Sequence, residues 1–159
     1  MFYQRDEIEK TVKEHQIDRN RFFEVSKQSY QQIVKKIEAK FVQKSKYSDD
    51  IHWANMGHYR PELKCRFVTM KDWISWMKEL PNIIPASDTL VYALFEEVGN
   101  SKYWLYETQI QELITVLNES HLWGDFYIVS KKYDWLISLN HHDVISYVGE
   151  NLVLDSTVV

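Results

Sequence analysis

The stretch 125–149 constrains the fold most. It holds three short apolar runs, at 126–130, 135–139 and 144–148, separated only by Lys131-Lys132-Tyr133-Asp134 and Asn140-His141-His142-Asp143. Runs of five residues rich in β-branched and aromatic side chains, bounded by polar turn formers, read as strands. Connections of four residues join strands antiparallel, because a parallel neighbour needs a crossover of a dozen residues or more. Upstream, 89–98 and 102–107 are rich in Val, Tyr, Phe and Trp and are split by Gly99-Asn100-Ser101, the pattern of a β-hairpin. Alternation puts Val91, Ala93 and Phe95 on one face and Tyr92 and Leu94 on the other, so both faces are expected to be covered.

Helical periods fill the remainder. Residues 5–16 carry a narrow stripe of Ile8 and Val12, with His15 one turn on. After Asp18, a plausible N-cap, a stronger stripe runs through Phe22, Tyr30, Ile33, Val34, Ile37 and Phe41, with Lys35, Lys36 and Lys40 on its solvated side. Thr69-Met70-Lys71-Asp72 resembles a capping box and opens a third helix carrying Trp73, Ile74, Trp76, Met77 and Leu80, which Pro81 ends. Thr108-Gln109-Ile110-Gln111 is the clearest capping box, and Ile110, Leu113, Ile114 and Leu117 follow it at i, i+3, i+4 and i+7. Between the second and third helices, 44–66 lacks a period; it is either a connection pinned by Trp53 and Tyr59 or a segment that lines a site. The pattern predicts an α+β domain over 1–153, with N-terminal helices packed on a mostly antiparallel sheet of about five strands, in the order α-α-α-β-β-α-β-β-β. Residues 154–159 read as a frayed tail.

At 159 residues, 14% aromatic and with only four Gly and three Pro, the chain is expected to be one ordered unit with a substantial core. Its single cysteine, Cys65, reads as a small, partly buried hydrophobe and excludes an intramolecular disulfide. The N-terminal sequence lacks the apolar centre of a secretory leader, and no run approaches the roughly 20 apolar residues of a membrane span. The expectation is a soluble cytoplasmic protein without membrane association. Charge is uneven: residues 1–47 hold eleven Lys and Arg against seven Asp and Glu, whereas 48–159 hold eight against sixteen. An acidic C-terminal portion disfavours nucleic acid, whose binding draws on clustered cations, and suits a basic protein partner.

No G-x-G-x-x-G, G-x-x-x-x-G-K-[ST], G-x-S-x-G, H-E-x-x-H or paired C-x-x-C motif occurs. His141, His142 and Asp143 invite a metal or acid-base reading, because imidazole is a common ligand that titrates near neutrality. Such a site would recruit His52, His58 or His121. The same residues also make chemical sense as a turn, since Asn140 and Asp143 hydrogen-bond nearby backbone and tolerate turn dihedrals. Glu96, Glu97, Glu107 and Asp125 sit at strand ends, where carboxylates either pair for acid-base work or discourage edge-to-edge pairing.

The run DFYIVSKKYDWLISLNHHDVISYVGE, with KYWLYETQIQELITVL before it, resembles a pattern in small, mostly uncharacterised bacterial proteins that pair a Trp-Leu strand with an Asn-His-His-Asp turn. Their layout is similar to the SMI1/KNR4-like group, which implies a role like that of an immunity protein in a toxin system. The resemblance carries over no catalytic residue.

The leading expectation is a non-enzymatic protein-binding module, immunity-like or accessory, that engages a basic partner such as a toxin. The candidate contacts are Glu96, Glu97, Trp104, Glu107, Trp135 and Asp143, and no cofactor is expected. Two alternatives stand beside it: a metal-dependent hydrolase or metal-binding protein using His141, His142 and Asp143, and a small-ligand sensor with an aromatic pocket around Trp53, Trp104 and Trp135.

Overall fold

The computed structural model describes residues 3–46, 48, 50–54, 57–100 and 102–155; the side chains of His52 and Trp53 lie outside the described part. One seven-stranded antiparallel sheet carries helices on both faces. The chain order is α1 (Tyr3–Glu14), β1 (Phe22–Glu24), α2 (Lys27–Phe41), the single turn α3 (Ile51–Ala54), β2 (Cys65–Thr69), α4 (Trp73–Ile83), β3 (Leu90–Glu97), β4 (Lys102–Gln109), α5 (Ile110–Glu119), β5 (Phe126–Ser130), β6 (Trp135–Leu139) and β7 (Val144–Gly149). Across the sheet the strands run β1-β4-β3-β5-β6-β7-β2.

The four central strands explain why their sequences read as continuous apolar runs rather than a clean alternation. Val91, Ala93, Phe95, Phe126, Ile128 and Ile137 face a core closed by α1, α4 and α5, through Ile8, Trp76, Leu80, Leu113 and Val116. Tyr92, Leu94, Tyr103, Leu105, Tyr127, Val129 and Leu136 face a second core beneath α2 and α3, closed by Ile37, Phe41 and Ile51.

Seven strands stand where about five were expected, and the two extra ones are the edges. Phe22 fits the stripe of the second helix by spacing, but β1 pairs it with Thr108 and packs its ring 4.8 Å from that of Tyr106. The helix begins only at Lys27, after Ser26, whose Oγ accepts the Ser29 amide. β2 lies at the end of the aperiodic 44–66 stretch and pairs along β7 from Cys65↔Val148 to Thr69↔Val144. An edge strand half covered on one face carries little apolar signal. Cys65, expected to be partly buried, is exposed there.

Helix ends also move. Asp72 rather than Thr69 holds the N-cap position of α4, because Thr69 completes β2, and the helix continues through Pro81 to Ile83. Gln109 rather than Thr108 holds the N-cap position of α5, and the Thr108 hydroxyl donates to the Gln109 carbonyl instead of accepting a helix amide. At the C-terminus the Val153 amide donates to the Ile83 carbonyl, and Leu152 and Leu154 pack on the first core. The rest of the expected tail, 156–159, lies outside the described residues. Among the described residues no helix is long and apolar enough to cross a membrane.

Candidate functional site

Four connections and the start of a helix converge at one end of the sheet. There β3 turns into β4, β6 turns into β7, β2 leads into α4, the loop after α5 enters β5, and α1 begins. Gln4, 1% exposed, is the hub. Its amide donates to the Glu97 carboxylate (3.2 Å), its side-chain Nε2 donates to the Glu96 carbonyl (3.0 Å), and its Oε1 accepts the Trp123 amide (3.0 Å). A buried carboxylate at the first turn of a helix meets orphan amides and the positive end of the helix dipole. Glu97 therefore anchors α1, and its Oε1 also accepts Trp104 Nε1 at 3.2 Å.

Asp125 organises the neighbouring loop. It is buried, and its Oδ1 accepts the His141 amide at 2.6 Å and lies 3.2 Å from His141 Nδ1. Its own amide donates to Glu96 Oε2 at 3.0 Å. The 140–143 segment is a turn: Asn140 Oδ1 accepts the amides of His142 and Val144, and Asp143 adopts a left-handed φ of 59° that Asp tolerates. The His141 and His142 rings lie against each other with centroids 4.1 Å apart, tilted by 45°. Among the described residues no three His, Cys, Asp or Glu side chains are arranged to hold a metal ion.

Behind Asp125 lie three buried tyrosines. Burial pushes the Tyr59 hydroxyl up to about 12, and it exchanges a 2.7 Å hydrogen bond with Ser138 Oγ. Burial also raises Tyr103 and Tyr127, reinforced by the negative charge of Asp125 and, for Tyr103, of Glu96. These hydroxyls stay protonated at neutral pH. They serve as hydrogen-bond donors, as Tyr127 does to the Ile51 carbonyl at 2.7 Å, rather than as nucleophiles or bases.

The outer surface of this end is apolar. Trp123 is 65% exposed, Val98 59% and Tyr3 39%. The Trp123 indole donates to the Tyr3 hydroxyl at 3.2 Å. Gly124, at φ +86°, lets Val98 and the Glu96 side chain close on the loop where a Cβ would meet Val98 Cγ2 at 3.0 Å. Asp6 and Glu7 follow Tyr3 by three and four residues on α1, and the Glu7 carboxylate accepts the His121 amide. Three contiguous exposed apolar residues with an acidic border differ from the isolated ones that any surface carries.

The residues singled out from sequence have separate fates. Trp135 is fully buried on the first core, with its indole donating to Asp88 Oδ2. Trp104 and Glu97 are buried. Glu107 pairs with Lys131 at 2.8 Å, away from this end. Glu96 and Asp143 belong to the convergent end. Trp104 and Trp135 stand on strands separated by β3 and β5, and the Trp53 side chain lies outside the described residues. Tyr3, Gln4, Val98 and Trp123 were not singled out. The signal for Trp123 was present, since it sits beside Gly124 in a connection and belongs to no helical or strand period.

A family model described as "Family of unknown function (DUF6756)" matches residues 3–157, and the chain belongs to that family. No curated protein and no solved structure matches it.

Proposed function

We propose that this member of the DUF6756 family is a protein-binding module whose contact surface is the convergent end of the sheet, centred on Trp123. The observation that carries this reading is the 65% exposure of Trp123 beside Tyr3 and Val98. Leaving a tryptophan in water forgoes the burial that drives folding, and aromatic residues are the commonest interface anchors. Asp6, Glu7, Glu96 and Asp143 around the same end favour a basic partner through charge complementarity. A cytoplasmic immunity-like or accessory role, neutralising a basic toxin, is the form of this function that the sequence resemblance implies.

Co-purification of the tagged chain from its native host, wild type against Trp123→Ala, tests the proposal. A stoichiometric basic protein retained by the wild type and lost from the variant is expected. Loss of a central anchor costs roughly 2 kcal/mol or more, about thirtyfold in affinity. The melting temperature should be unchanged, because the side chain is largely exposed. Recovery of the same proteins by both forms, or of none by either, would count against the surface.

A further inference from the structure

Beside Trp123, on the α4 and α5 side of the sheet, lies a cavity of about 350 Å³. Trp73, Phe126, Leu139 and Leu122 line it with apolar surface, and Asn118, Ser120, His121 and Asp143 line it with polar groups. It shares the 120–125 loop with the exposed patch: Leu122 turns into the cavity wall and Trp123 onto the surface. The Trp73 ring meets Phe126 edge-on at 6.1 Å, and Trp73 itself is only half-buried.

Resting on the proposed protein-binding role, we infer that this cavity receives an arginine side chain of the basic partner, stacked on Trp73 and paired with the Asp143 carboxylate. Three features select that occupant. The volume, at the small end of the roughly 300–1,000 Å³ range of ligand pockets, is enough to admit one long side chain. The lining joins apolar and aromatic side chains to polar groups and the anionic Asp143, and arginine matches that mixture with an aliphatic stem ending in a planar cation. Guanidinium stacks on aromatic faces and forks onto a carboxylate, whereas lysine offers only a point charge and an apolar side chain leaves Asp143 unanswered. The Asp143 main chain is fixed by two hydrogen bonds, its amide to the Asn140 carbonyl and its carbonyl from the Met70 amide at 2.7 Å, so its carboxylate is held by a rigid turn.

The test uses the full chain and needs no partner. The Trp73 indole resonance is followed by NMR during titration with N-acetyl-arginine methylamide. The neutral isostere N-acetyl-citrulline methylamide and the apolar N-acetyl-norleucine methylamide are run alongside. The arginine probe should shift Trp73 and bind at least about tenfold more tightly than citrulline, the scale of one charge-assisted hydrogen-bonded pair. Asp143→Asn should bring the two probes to within about twofold of each other while the fold persists, since Asn tolerates the same left-handed φ. Equal binding of citrulline or norleucine, arginine shifts that bypass Trp73, or discrimination that survives Asp143→Asn overturns the assignment. Those results leave the Trp123 surface standing. Conversely, a Trp123→Ala chain that keeps its partner removes the surface without touching the probe titration.

Discussion

Raising the pH should unfold this protein abruptly, through its buried tyrosines. Tyr59, with an ordinary value near 10, is held at about 12 by burial. Tyr103, Tyr106 and Tyr127 are also raised, with burial the first cause in each. In this window the unfolded chain has already lost protons that the native state retains. Stability is therefore complete below pH 10 and falls as pH rises through the folded values. Tyr59 alone loses about 3 kcal/mol over its two units, and the four hydroxyls together tilt the balance by about 5 kcal/mol per pH unit. Against a total of about 5–15 kcal/mol, cooperative unfolding is expected within about one to three units above pH 10. Tyrosinate absorbance and far-UV circular dichroism, recorded together, should change at the same pH. Tyr59→Phe should shallow the dependence, by at most about 1.4 kcal/mol per pH unit. Gradual titration of all ten tyrosines around pH 10 with the dichroism unchanged would refute the burial of these hydroxyls.

Two further perturbations test the framework that positions the surface. Gly149→Ala places a Cβ against the Asp134 carbonyl oxygen and 3.0 Å from Trp135 Cα, at a φ of +98°. The dihedral alone costs about 1–3 kcal/mol and the backbone must also move, so urea unfolding should show a loss above about 3 kcal/mol; a loss below 1 kcal/mol would mean β6 and β7 are not apposed in this way. Glu97→Ala strands the Gln4 amide and the Trp104 indole in a buried site, at about 1–3 kcal/mol per group, whereas Glu97→Gln keeps an acceptor and should lose about half as much. Exchange protection of α1 amides should fall in that order; equal protection in all three forms would show that Glu97 does not hold the helix.

How much of this was legible in the sequence depended on how many faces each element buries. The central strands and the stripe of α2 bury enough apolar surface to leave runs that only one reading fits. The edge strand β1 buries Phe22 alone, and one residue satisfies a helical stripe as well as a strand. Its pairing is decided 84 residues away, by the register with β4. The candidate contacts failed to separate for the same reason. Glu97 is a strand-end carboxylate like Glu107 by sequence, yet the start of α1, 93 residues distant, converts it into a buried helix anchor. Trp135 and Trp123 are equally conspicuous as letters, but Trp135 lies in a strand period and its burial follows, whereas Trp123 lies in none. Exposed function is thus best sought among large apolar residues that periodicity cannot assign. A residue that no element claims must be held by its loop, and here Gly124, Asp125 and the Gln4 hub supply that hold.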